Sequence, residues 1–516
     1  MMARQSPTPT DAGRLGGFGA GVLAVAAAKF LVHILFVGQY GVFRDELYYL
    51  DCARHLAWGY VDQPPLIAAM ARLTLPFEPS LLALRLPVIL AGVALVLLTA
   101  ALARELGGGR FAQTLAAIGV LAAPGYLLLH HILTMNGFEP LFWVGAAFLV
   151  VRYLRTRDER LWIAFGALSG VGLLNKNSML FMGFALVAGL LLAGEWRVFQ
   201  KHGVWLGGLL AALLFFPNAF WQASHGNPQL KMLEQTRKNR DIRPDPVSYV
   251  KEQVAAMNPV GAILWVGGLG ALLASRRLRS ARTLGLAYLV LLALFAALRT
   301  KVYYLFPVYG VLFAAGGVAF EAWTSDRHRW VRVALPALLL LSGIVTGPVV
   351  FPAIPRERFG AYMRAIGLEP PHMEKGRDSG RLPQIFADMH GWDTMAAQVA
   401  VVYRTLTPEE QAKACVFGQN YGEAGAINHF GPGLGLPRAI SGHNSYGLWG
   451  PQGCTGEVLL VIGGDENDNR KVCRVLEKRG LVHNDWARQD ENDLPIWVCT
   501  LNESAETIWP RLRHID

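Results

Sequence analysis

The sequence predicts a polytopic α-helical membrane protein of about eleven transmembrane helices, followed by a C-terminal soluble α/β domain. Three observations carry that reading. Of the 516 residues, 53% are hydrophobic and 17% charged, whereas about a quarter of a soluble domain is charged. Apolar runs of membrane-crossing length recur through the first two-thirds of the chain, with arginines and lysines gathered between them. Near Phe351 the composition changes, and no later run is long enough to span. This composition excludes an ordinary soluble enzyme, a disordered chain and a disulfide-stapled miniprotein. The net charge of +10 is spread between the apolar runs and forms no basic tail, so it reads as a topology signal and not as a nucleic-acid surface.

Residues 1–14 are polar and form a cytoplasmic tail. The run from Leu15 lacks a small-residue cleavage site and reads as a retained first span. Spans are expected near 15–37, 81–103, 111–130, 138–154, 160–175, 178–194, 204–221, 258–274, 283–299, 302–323 and 331–351. Alternate short loops carry Arg104 and Arg110; Arg155, Arg157 and Arg160; Arg197 and Lys201; Arg276, Arg277, Arg279 and Arg282; and Arg327, Arg329 and Arg332. Positive residues mark the cytoplasmic side, which puts the N-terminus inside and everything after about residue 352 outside. The loop 222–257, with Lys231, Arg237, Lys238 and Arg240, is basic yet falls outside; long loops obey the rule poorly.

The expected units are therefore the tail 1–14, a membrane domain 15–351 with a first outer loop 38–80 and a fourth outer loop 222–257, and an extracytoplasmic α/β domain 352–516. In the last unit, Ala414–Phe417, Val458–Ile462 and Ile496–Leu501 read as buried strands, and 393–406 and 468–479 as helices. There is no convincing internal repeat. Gly431-Pro432-Gly433-Leu434-Gly435 lacks the strand–helix context of a dinucleotide fingerprint, and no CxxC pair occurs.

The first outer loop is the most informative stretch. Arg44, Asp45 and Glu46 follow the first span directly, and Tyr48, Tyr49, Asp51, Arg54 and His55 come next. Acidic groups where a helix leaves the bilayer are costly unless solvated or paired. One reading is a solvated loop with a local Arg–Asp ion pair. The other is an ordered pair of interfacial helices lying along the membrane, favoured by the aromatic content and the Asp62-Gln63-Pro64-Pro65 stop.

Arg44-Asp45-Glu46-Leu47-Tyr48-Tyr49 followed by Gly59-Tyr60-Val61-Asp62-Gln63-Pro64-Pro65-Leu66 resembles the first-loop signature of polyprenyl-phosphate-dependent membrane glycosyltransferases. The nearest resemblance is to the family 39, dolichyl-phosphate-mannose-mannosyltransferase-like group, which includes the aminoarabinose lipid A transferases and has the GT-C fold. It extends to Arg85-Leu86-Pro87, Thr134-Met135-Asn136-Gly137-Phe138-Glu139, Leu173-Leu174-Asn175-Lys176-Asn177-Ser178 and Lys301-Val302-Tyr303-Tyr304-Leu305-Phe306-Pro307, and so covers most of residues 15–350.

The resemblance implies transfer of a sugar from a polyprenyl-phosphate donor to an acceptor hydroxyl on the outer face. The acidic base of the family falls on Asp45. A positioned carboxylate that removes the hydroxyl proton as the bond forms contributes roughly 10²–10⁴-fold. Glu46 is the second catalytic candidate, as a further base, an acceptor for hydroxyls or a partner of Arg44, with a supporting role favoured. Arg85, Lys176, Arg299 and Lys301 lie at expected outer helix ends, where a leaving phosphate needs cations; snorkelling to the headgroups is the plain alternative, and is preferred for Arg299. Tyr303 and Tyr304 offer phenols to the phosphate, although aromatic belts also put tyrosine there.

Glu139 stands where the family usually has Asp. It and Asn136 are read as contacts to acceptor hydroxyls, to a cation or to a basic residue. With Arg44 these complete the expected substrate-binding set. His130 and His131 point about 100° apart on a helix and make a poor metal pair. No metal site and no cofactor are expected, with a divalent requirement left open. The partners expected are the lipid-phosphate sugar, a lipid, glycan or protein acceptor, and membrane lipids.

Asn420–Ala426 and Ser441–Gly450 resemble segments of a bacterial subgroup of the same family. They read equally well as sugar-contacting loops or as turn chemistry. Cys52, Cys415, Cys454, Cys473 and Cys499 are all expected outside, where disulfides are permitted; Cys415 and Cys499 also suit buried thiols in strands, and the connectivity is open. The rival class is a transporter with an outer binding domain, disfavoured by the absent repeat and by polar groups at helix ends instead of the midplane.

Overall fold

The computed structural model describes residues 17–239, 244–325, 328–368 and 380–515. The expected tail 1–14, Arg240 and Arg327 lie outside the described residues. All eleven expected apolar segments are helical. Six described helices are long and apolar enough to cross a membrane alone: Leu81–Glu105, Met135–Thr156, His202–Ser224, Arg276–Leu298, Val302–Trp323 and Val331–Val349. Pro246–Ala256 and Gly261–Ala274 meet at 113° and count as a seventh if read as one broken span. Ala20–Phe36, Arg110–Ala122, Arg160–Asn175 and Met179–Leu192 are apolar but shorter. The second of these stops because Pro124 cannot continue it, and the chain restarts as Pro124–Leu129. Leu95, Val96, Leu115, Trp143, Leu312 and Phe313 form part of the apolar bundle core.

The C-terminal domain carries a five-stranded sheet of β1 (Ala414–Gly418), β2 (Ala439–Ile440), β3 (Val458–Ile462), β4 (Cys473–Val482) and β5 (Leu494–Leu501), in the order β2-β1-β3-β5-β4. β1 runs parallel to β2 and β3, while β5 is antiparallel to β3 and β4. The three expected strands are thus present, as is the first expected helix (Trp392–Tyr403). The second is corrected: only Glu466–Val472 is helical, and 473–482 is β4. β4 pairs on one side only and is mostly exposed. Its many charged residues therefore lack the in–out alternation that marks a half-buried strand. Disulfides join Cys415 to Cys454 and Cys473 to Cys499; Cys52 is a buried free thiol.

The two halves meet over the first long loop. It contains the helices Arg44–Arg54 and Leu66–Arg72, so the expectation of an ordered pair holds. The first does not lie exposed on a surface, however. Nine of its eleven residues are buried, an unusual state for so polar a helix. The reason is enclosure: Leu47, Tyr48 and Leu50 share one apolar core with Leu84, Val88 and Phe138 of the bundle and with Trp392, Ala396, Leu460 and Ile462 of the C-terminal domain.

Candidate active site

The Arg44–Arg54 helix starts where Glu46 accepts a hydrogen bond from the Phe43 amide at 2.8 Å, the reciprocal half of a capping box. Asp45 and Glu46 both stand in its first turn, where the helix dipole favours carboxylates. They then part. Glu46 is wholly buried, and its oxygens accept from Arg85 Nε at 2.9 Å, Arg85 Nη2 at 2.8 Å and the Leu133 amide at 2.8 Å. Asp45 is only half-buried and accepts from the Tyr421 hydroxyl at 2.9 Å.

Glu46 is thus a clamp, and its partner is Arg85 and not Arg44. The placement of Arg85 differs from the phosphate-binding expectation. It is fully buried, and beyond Glu46 its guanidinium donates to the Val37 and Gly41 carbonyls, each at 2.8 Å, and lies 3.4 Å from His131 Nε2. Those partners occupy the planar fork on every side. Arg44 is not in a solvated pair with Asp45 either. Its guanidinium lies 4.6 Å from the Tyr421 ring centroid and 3.6 Å from Glu491.

Lys176, Asn136, Glu139, Tyr303 and Tyr304 do come together. Lys176 caps the C-terminus of the Arg160–Asn175 helix, and its ammonium donates to Asn136 Oδ1 and Glu139 Oε2, both at 2.9 Å. It lies 5.3 Å from the Tyr303 ring centroid and 4.6 Å from that of Tyr304. The Ser178 hydroxyl donates to the other Glu139 oxygen. The Glu at this position is therefore a lysine-orienting group. Lys301 is the N-cap of the 3-10 segment Val302–Val308 that presents both tyrosines, and Arg299 is exposed after the preceding helix. The stretch 133–139 joins the two clusters: Leu133 holds Glu46, and Asn136 and Glu139 hold Lys176.

Asp62, part of the first-loop signature and of the Asp-Gln-Pro-Pro stop, is not among the expected site residues, yet it joins the first-loop cluster. The Tyr48 hydroxyl donates to Asp62 at 2.8 Å and lies 2.6 Å from Ser445 Oγ. Burial pushes the Asp62 carboxyl up to about 7, the Tyr48 hydrogen bond opposes this, and the Asp45 charge adds to it. Asp62 and Asp45 thus each accept from a phenol of one aromatic cluster, Tyr48 and Tyr421, against which Tyr49 also packs.

The C-terminal motifs are neither free sugar loops nor plain turns. Tyr421–Phe430 is a helix capped by Asn420, whose side chain accepts from the Gly422 and Glu423 amides. Gly422 and Gly425 let it lie directly on the Arg44–Arg54 helix: a Cβ at Gly425 would sit 2.8 Å from Leu47 Cβ, and one at Gly422 2.9 Å from Arg44 Nε. From 441–450, Ser445 meets Tyr48 and Tyr446 donates to Asp51, which also accepts from Asn428 at 2.8 Å. The recognisable signal was a run of Gly, Asn and Tyr; its meaning depended on what it packs against. Among the described residues no group of three or more His, Cys, Asp and Glu is arranged to hold a metal ion.

The fold is that of a polytopic helical membrane protein of the GT-C class, with a small C-terminal sheet domain. Residues 62–221 match the family model described as dolichyl-phosphate-mannose-protein mannosyltransferase. No curated protein sequence matches the chain. Among solved structures it is similar to ArnT from Cupriavidus metallidurans, bound to undecaprenyl phosphate and in the apo state, in both cases at 15% identity and TM-score 0.59 over 92% of this chain and 97% of that one. The apo oligosaccharyltransferase of Archaeoglobus fulgidus matches at 13% identity and TM-score 0.49, over 79% of this chain and 64% of that one.

Proposed function

We propose that the protein transfers a monosaccharide from a polyprenyl-phosphate donor to an acceptor hydroxyl, on the extracytoplasmic face of the cell (inner) membrane, in cell-envelope glycan or glycolipid (lipopolysaccharide) synthesis. The observation that carries this is Asp45: a half-buried carboxylate in a helix first turn, beside Glu46, which the stretch 133–139 links to a lysine caged by Glu139 and two tyrosines. In the proposed step the acceptor oxygen attacks the anomeric carbon opposite the phosphate. The bond from that carbon to the phosphate oxygen breaks, its electron pair leaves with the polyprenyl phosphate, and the hydroxyl proton passes to Asp45. The anomeric configuration inverts.

Lys176 is assigned to the phosphate as a point charge, with the Tyr303 and Tyr304 phenols and Lys301 beside it. Asn136 and Glu139 act in this reading by holding Lys176, and Arg44 by its contacts to Tyr421 and Glu491 beside Asp45. The likeness to an ArnT structure bound to undecaprenyl phosphate supports the donor class. The two disulfides support an oxidising compartment for the C-terminal domain. The acceptor in this reading is a lipid, a glycan or a protein.

The test supplies undecaprenyl-phosphate-linked ¹⁴C-sugars (mannose, glucose, galactose and arabinose) to the purified protein, with total membrane lipids and envelope glycans as acceptors. Label moves with the native protein and stays on the donor with Asp45→Asn. Native-like transfer by folded Asp45→Asn would sink the base assignment.

A further inference from the structure

Asp45 belongs to the first loop, but its hydrogen-bond donor, the Tyr421 hydroxyl, comes from 376 residues further along the chain. Little about Tyr421 is left to chance. Its amide donates to His443 Nδ1 at 3.2 Å, and Asn420 caps the helix it begins. Its ring stacks on His443 at 5.0 Å, meets the Tyr48 ring at 4.9 Å and lies under the Arg44 guanidinium. Arg44 in turn is held by Glu491, and Asn420 Nδ2 bridges Glu491 and Glu423. Burial keeps the Tyr421 phenol well above its usual range, so it stays protonated and can only donate to the carboxylate. The glycine seam at Gly422 and Gly425 sets how close the phenol comes.

We infer that Tyr421 is a positioning residue for Asp45, and that the C-terminal domain thereby completes the active site instead of merely covering it. A fixed donor on one oxygen restricts carboxylate rotation, and a hydrogen bond to the charged form keeps the base ionised at lower pH. The inference rests on the proposed role of Asp45 as base, and it assigns the C-terminal domain a part in that same site.

The experiment uses the full-length protein in proteoliposomes and the variant Tyr421→Phe, which keeps the ring and its stacking and deletes only the hydroxyl. Two readouts are taken. With the same labelled donors, kcat falls about tenfold while KM for the donor is unchanged. Without any substrate, carbodiimide labelling of Asp45 followed by mass spectrometry across pH reports its protonation. Its midpoint moves up by about one pH unit when the donor is lost. A structural role would lower activity and leave the midpoint in place, and that result overturns the inference. So does a variant with native kcat and native midpoint. An inactive Asp45→Asn beside a native-like Tyr421→Phe removes the positioning role alone. An active Asp45→Asn removes the base and the positioning role with it.

Discussion

Glu46 and Arg85 form a two-point ion pair in which both side chains are wholly buried, at 2.9 and 2.8 Å. It pins the first-loop helix to the Leu81–Glu105 helix and so sets where the neighbouring Asp45 stands. Removing one partner of such a pair leaves an uncompensated buried charge, at a cost of about 3–5 kcal/mol. Glu46→Gln and Arg85→Met should each lower the melting temperature in detergent. The double variant should lose less than the two losses added. Single variants that melt like the native protein contradict the clamp.

Lys176 has two of its three donors spent on Asn136 and Glu139, in a cage that fits a compact charge over two ring faces. Lys176→Gln should reduce kcat/KM for the labelled donors about 10- to 100-fold, the worth of a charged hydrogen bond. Lys176→Arg should not restore it, since a planar fork does not fit that cage. Full activity of the Gln variant argues against phosphate binding here.

Asp62 gives a pH dependence of stability. Its carboxyl is raised to about 7 in the folded chain against an ordinary 3.8. Its contribution is therefore fully present below the unfolded value and is lost as pH rises through the folded one. Asp62→Asn, which still accepts from Tyr48, should melt like the native protein at pH 4 and above it at pH 8. An equal advantage at both values would show that ionisation of Asp62 is not the cause.

The two disulfides close loops of 39 and 26 residues, worth about 3–4 kcal/mol each in the chain-entropy account. Peptide mapping without reductant should recover Cys415–Cys454 and Cys473–Cys499 and leave Cys52 alkylated only after denaturation. Reductant should lower the melting temperature of the C-terminal domain. Recovery of any pair containing Cys52 contradicts the burial seen here.

Much of the fold was legible because bilayer crossing is a local property. Twenty apolar residues announce a helix whatever surrounds them, and Val458–Ile462 announces a buried strand in the same way. The Lys176 cluster was legible as a set of residues, since its members sit at expected helix ends. Segment 473–482 was not, because the exposed edge strand lacks the alternation that burial imposes. Arg85 illustrates the harder case: a span-end arginine looks the same whether it snorkels, binds a phosphate or is walled in by Glu46 and two carbonyls.

The sequence by itself determined the membrane bundle, the α/β domain after it, and the residue types that gather at one end of the helices. Only the tertiary structure decided their pairing: Glu46 with Arg85, Arg44 with Glu491, and Asp45 with Tyr421. The reason is physical. Hydropathy and periodicity are summed along the chain, but a buried charge takes whichever counter-charge and carbonyls the packing brings within about 4 Å. Here that packing brings together residues 39 to 447 positions apart.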